Sequence, residues 1–150
     1  MAQAQYSIMI PTVDNLGQPL SGIARASHEF LLRRGMVDGS WVQGGQTGFW
    51  AEDEPEPHET LHTIQEESPE MDSVIKELAV NIGEMANQWG INVYKNGKNG
   101  IQQWIVNNPQ YREGEGADEL ALANTPSPPR DDPRLFVSAV PRKTVALRSE

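Results

Sequence analysis

The stretch from Ser68 to Val106 constrains this chain more than any other. Ser68 is a helix-capping residue, and Pro69 takes the first helical position, where its missing N–H would have had no partner. Glu70 and Asp72 place acids in the first turn, at the positive end of the helix dipole. Met71, Val74, Ile75, Leu78, Ile82, Met85 and Trp89 then recur at helical spacing as one apolar stripe, and Gly90 is expected to end the helix. The spacing then changes from helical to alternating. Ile91 and Val93 share one face of a strand over Ile91–Lys95, Asn96-Gly97 and Asn99-Gly100 signal a tight turn, and Ile101–Val106 forms the returning strand. A one-faced helix followed at once by a hairpin must bury its stripe against a sheet, so the fold has to contain a helix-on-sheet layer.

The upstream half supplies matching parts. Gln5–Ile10 reads as a strand with Ile8 and Ile10 on one face, stopped by Pro11, and Asp14-Asn15-Leu16-Gly17 reads as a turn. Ser21–Arg34 reads as a helix with Ser21 as N-cap; Ile23, Ala26, Phe30 and Leu31 stand at helical spacing, Arg33 and Arg34 lie in the last turn, and Gly35 follows as the stop. Ser40–Trp50 is extended, either a tight hairpin or one long strand with a glycine bulge at Gly44-Gly45. Glu52–Pro57 is an acidic loop, and residues 58–66 are expected to form a strand because Thr60, Thr63 and Ile64 are β-branched. Beyond the hairpin, Asn107–Gly116 is irregular and Ala117–Ala123 suits a short helix.

The resulting order, β-α-β-β-α-β with one more strand, resembles the ferredoxin-like arrangement: an antiparallel sheet with two helices on one face, here with an extra C-terminal hairpin strand and an extended tail. The domain is expected over residues 1–124. Residues 125–150 read as a proline-rich linker and tail, of which Leu135–Ala139 or Lys143–Leu147 would add to a sheet edge.

Charge and composition narrow the partners. The formal net charge is −9, and residues 51–94 alone carry eleven acids against Lys76. Such a surface repels phosphate backbones, so nucleic acid is not expected as a partner, whereas a basic protein would suit it. No run reaches the roughly 18 apolar residues of a membrane helix, and the first residues lack the basic-then-apolar form of a secretory leader. The absence of cysteine removes disulfides and thiolate chemistry and is in keeping with a cytoplasmic protein.

One motif points to catalysis. His58-Glu59-Thr60-Leu61-His62 matches the H-E-x-x-H signature, in which two imidazoles share a zinc ion while the glutamate acts on the metal-bound water. That chemistry needs a helix, which sets residues four apart about 5–6 Å from each other; on a strand they stand about 13 Å apart. It also needs a third ligand, for which Glu84 and His28 are the candidates. The strand assignment makes zinc hydrolysis through His58, Glu59 and His62 an alternative only, and no cofactor is expected. Gly44–Gly48 has no lysine and no following helix with which to cradle phosphate, and Tyr6 and Tyr94 are acid–base candidates that nothing singles out.

The leading expectation is a non-enzymatic binding and assembly module, a small accessory protein that self-associates through the open sheet face and docks its tail on a neighbour. Trp41, Phe49, Trp50 and Trp104, with Leu135, Phe136 and Val137 of the tail, would form the homo-oligomer interface, and Arg33, Arg34 and Lys95 would hold a small anionic ligand at the seam. A further alternative is a small-molecule enzyme of the dimeric α+β-barrel type, with its cavity between sheet and helices.

Overall fold

A computed structural model describes residues 2–35, 39–48 and 56–117. The elements are β1 (Gln3–Pro11), α1 (Ile23–Arg33), β2 (Ser40–Gly48), β3 (Glu56–Glu66), α2 (Pro69–Ala86), β4 (Gly90–Gly97) and β5 (Gly100–Asn107). They form one five-stranded antiparallel sheet in the order β2-β3-β1-β4-β5. The fold is therefore α+β in the ferredoxin-like order, with β5 added beside β4.

Alternation along the strands divides the sheet into two faces. Ala4, Tyr6, Ile8 and Ile10 of β1 point to one side, where Val42, Leu61, Ile91 and Val93 join them. Ile75, Leu78, Ala79 and Ile82 of α2 and Ile23, Ala24 and Leu31 of α1 complete that core. No helix of the described residues is long and apolar enough to cross a membrane.

Local rules explain most of the boundaries. Ser68 caps α2 as expected, its hydroxyl accepting from the Met71 N–H at 3.0 Å. β2 is one strand whose pairing with β3 shifts between Gln43 and Gln46, where Gly45 takes φ 68°. β4 and β5 close through a two-residue loop, Gly97 standing opposite Gly100. Two termini differ from expectation. Gly22, at φ 82°, is the N-cap of α1 and no side chain caps it, so Ser21 does not fill that role. The second helix stops at Asn87, which adopts the left-handed conformation at φ 50° and ψ 53°, three residues before Gly90. The stripe thus ends before Trp89, which is 58% exposed.

A polar cluster is built into the helix-covered side of the sheet. Lys95 follows Ile91 and Val93 on the inward face of β4 and is buried. Its ammonium lies 2.9 Å from Asp72 and 2.9 Å from Glu67, while the Tyr6 hydroxyl donates to Asp72 at 2.6 Å. Burial, the bond to Asp72 and the neighbouring carboxylates raise the Tyr6 pKa, so the phenol stays protonated as a donor. Tyr6→Phe is expected to remove one charge-assisted bond, at a cost of about 1 kcal/mol because Asp72 keeps partial access to water. A urea denaturation curve measures this; an unchanged midpoint would show the bond to be energetically silent.

Candidate functional site

The side of the sheet away from the helices carries Gln5, Ser7 and Met9 of β1, Thr60 and His62 of β3, Asn92 and Tyr94 of β4, and Ile101 and Ile105 of β5. The last two are 72% and 45% exposed.

The H-E-x-x-H residues lie in β3, so the backbone through them is extended and the zinc-protease arrangement is not formed. His58 and His62 fall on the same face about 13 Å apart, too far to share an ion. Glu59 lies opposite Ile10 on the helix-covered side, away from both. His62 is already committed. Ser7 meets its Nδ1 at 2.8 Å, its Nε2 reaches the Gln43 carbonyl oxygen at 3.1 Å, and Trp41 stacks on the ring with centroids 5.2 Å apart. Burial lowers the His62 pKa, favouring the neutral ring. The third-ligand candidate His28 is spoken for too, its Nδ1 lying 2.6 Å from the Ser40 hydroxyl. Among the described residues no group of three or more metal-ligating side chains converges.

The other expected site residues are spread out. Trp41 and Trp104 stand on opposite faces: Trp104 pairs with Val93 and lies beside Tyr6 and under the Lys76 ammonium, so the two do not form one aromatic cluster. Phe49, Trp50, Leu135, Phe136 and Val137 fall outside the described residues. Arg33 pairs with Glu29, Arg34 pairs with Glu77 and lies over the Phe30 ring, and Lys95 is held by Asp72 and Glu67. Each of these cations thus faces a carboxylate of its own chain.

A cavity of about 620 Å³ opens at the end of the sheet where β1 finishes and β4 begins. Met9 and Pro11 lie between Glu56 and His58 on the β3 side and Asn92 and Tyr94 on the β4 side; Asn15, Gln88, Trp89 and Tyr111 contribute from the connecting segments. Among the described residues the layer between sheet and helices, where a cavity was expected, is occupied by the apolar core.

The rim is tied together by amides far apart in sequence. Asn87 is fully buried, and its side-chain NH₂ donates to the carbonyls of Arg112 and Glu115 at 2.9 Å each, while its oxygen accepts from the Arg112 N–H. Asn15 donates to the Asn87 carbonyl at 2.9 Å and to that of Glu115 at 3.0 Å, and accepts from the Gln88 side chain. Burial opposes the charge on Asp14, but backbone N–H groups of Ala117, Gln18 and Leu16 more than offset it and hold the carboxyl below its ordinary range. These bonds fix the segments bearing Asn15, Gln88 and Tyr111 around the opening. Gly90 has a steric role: a Cβ there would lie 2.9 Å from the Ile105 side chain. Sequence reasoning missed this site because its walls come from five separate segments. His58 and Tyr94, singled out in the sequence for other chemistry, both line it, and Asn87, a residue type tolerant of the left-handed conformation directly after the apolar stripe, ties its rim.

No protein-family model matches the chain, and no curated protein matches it. Two solved structures share its fold. A phage SAM lyase in complex with S-methyl-5′-thioadenosine superposes with a TM-score of 0.55 at 13% identity, covering 73% of this chain and 93% of that one. A phage SAM lyase in the apo state gives 0.56 at 12% identity, with 74% and 94% covered. These neighbours are enzymes, and they overturn the expectation of a non-enzymatic binding and assembly module.

Proposed function

We propose that this chain is an enzyme that binds S-adenosylmethionine, or a close adenosyl sulfonium, in the open-face cavity and breaks the bond between sulphur and the amino-acid side chain. The observation that carries the proposal is the chemistry of the cavity wall, on a fold shared with phage SAM lyases. Trp89, Tyr94 and Tyr111 offer ring faces on which a purine stacks and against which a sulfonium cation is attracted. Met9 and Pro11 give an apolar floor, and Gln88 and the Asn92 NH₂ supply amide edges. Glu56 brings a carboxylate, and the acidic middle of the chain draws a positively charged substrate. The volume is in the range of small-molecule sites, roughly 300–1,000 Å³.

The reaction asks little acid–base work of the protein. A sulfonium leaves as a neutral thioether, so no proton has to be delivered to it. The substrate's own carboxylate oxygen can bond to the carbon that sulphur releases, while the C–S electron pair passes to sulphur. S-methyl-5′-thioadenosine and a five-membered lactone result, with no water consumed. Opposite charges within the substrate cancel as the bond breaks, and a site that replaces bulk water with fixed groups favours such a step. On this reading the cavity works by binding, orienting and desolvating.

Incubation of the purified protein with S-adenosylmethionine, followed by mass spectrometry, is expected to show S-methyl-5′-thioadenosine accumulating well above a heat-inactivated control. Intact substrate in both samples would sink the proposal.

A further inference from the structure

We infer that His58 reads the sugar of the bound nucleoside, its buried Nε2 forming a hydrogen bond with a ribose hydroxyl. This rests on the reading of the cavity as an adenosyl site and adds to it the residue that sets specificity.

Four buried side-chain atoms lack a hydrogen-bond partner among the described residues: Nε of Arg25, Nε2 of His28, Oε2 of Glu29 and Nε2 of His58. Three belong to α1. The fourth belongs to His58, a residue 8% exposed that lines the cavity. A buried polar atom without a partner costs about 1–3 kcal/mol, a penalty that a ligand bond would cancel. Neighbouring amides on the wall are already engaged: the Asn92 oxygen accepts from Gln103 at 2.7 Å, and Asn15 is used within the rim. The imidazole is also held in place. It packs beside Gly48 of β2, where a Cβ would stand 3.4 Å from its Nδ1, an ordinary contact.

Strand order supplies the direction of the ligand. β1 lies between β3 and β4, so the β3 and β4 walls of the cavity are two strand spacings, about 10 Å, apart across the sheet, with His58 level with Pro11 and Tyr94 further along, level with Ser7. A nucleoside laid across Met9 and Pro11, with its base among Tyr94, Trp89 and Tyr111, brings its sugar to β3. There Glu56 and His58 stand two residues apart on one strand and line the same wall. A hydroxyl both donates and accepts, so it satisfies the imidazole nitrogen in either tautomer.

Isothermal titration with S-methyl-5′-thioadenosine and its 2′-deoxy and 3′-deoxy analogues tests this on the full chain, on His58→Phe and on His58→Gln. The parent protein is expected to bind one deoxy analogue about tenfold more weakly than the full nucleoside, the loss of one hydrogen bond. His58→Phe should lose that discrimination and His58→Gln should recover part of it, with melting curves confirming that the variants fold. If His58→Phe does not fold, the parent's discrimination and its change in His58→Gln decide the matter. Equal binding of all three compounds by the parent, or undiminished discrimination in His58→Phe, overturns the role of His58 and leaves the adenosyl site standing. Failure of the parent to bind the nucleoside at all removes both.

Discussion

Leu61→Ala is expected to lower the unfolding free energy by about 4 kcal/mol, whereas His58→Ala, three residues away in the same motif, should cost about 1 kcal/mol or less. The contrast follows from the strand. Leu61 is fully buried, faces α1 and α2, and stands between Ile8 on β1 and Val42 on β2 in the middle of the sheet. Truncating it removes three carbon atoms from a core bounded on all sides, and a rigid sheet cannot collapse into the gap. His58 points the other way, into a cavity, and its removal also eliminates an unsatisfied buried nitrogen. For a small domain with a total stability of roughly 5–15 kcal/mol, the first change is severe and the second barely registers. Urea unfolding followed by tryptophan fluorescence measures both. Equal costs for the two variants would contradict the assignment of alternating faces through His58–His62.

What was legible in the sequence is what local rules decide. Ser68, Pro69 and the stripe from Met71 to Met85 wrote α2 almost completely, the Asn-Gly pairs wrote the hairpin, and Thr60, Thr63 and Ile64 made β3 a strand despite its resemblance to a metal-binding helix. With those placed, strand order followed. The cavity was not legible, because it exists only once segments distant in sequence meet. Asn15 bonds to Asn87 across 72 residues, and Tyr6 reaches Asp72 across 66. Lys95 is an intermediate case. Period-two spacing from Ile91 and Val93 already put it on the inward face, and the acids at Glu67 and Asp72 were in view. What local spacing does not show is that both acids reach its ammonium, so that it is held by its own chain and not by the anionic ligand expected for it. Trp89 was misplaced because a glycine three residues further on looked like a better stop than an asparagine able to adopt φ 50°.

Acidification from pH 7 to pH 4 is expected to weaken the fold by approaching 3 kcal/mol through His28 alone. Its imidazole is buried beneath α1 against Ser40, and burial first, then the nearby Arg25 guanidinium, push its pKa down to about 4. In the unfolded chain the same ring takes up its proton near pH 6.5. Between these values the unfolded state holds more protons than the folded one, so stability rises with pH across the window and is lost as acid is added. Glu67 contributes in the same direction but lower down: a backbone N–H from Lys98 and the Lys95 ammonium hold its carboxyl below the ordinary range, so its contribution persists until the pH falls through that depressed value. His28→Gln separates the two, since glutamine can keep a hydrogen bond to Ser40 and does not titrate. Melting temperatures of the parent should fall between pH 6.5 and pH 4, while those of His28→Gln fall clearly less, the slope that remains coming from His62, whose pKa burial also lowers. Parallel curves for the two proteins through that window would mean that the ring is protonated in the fold, and that the 2.6 Å contact with Ser40 does not hold it neutral.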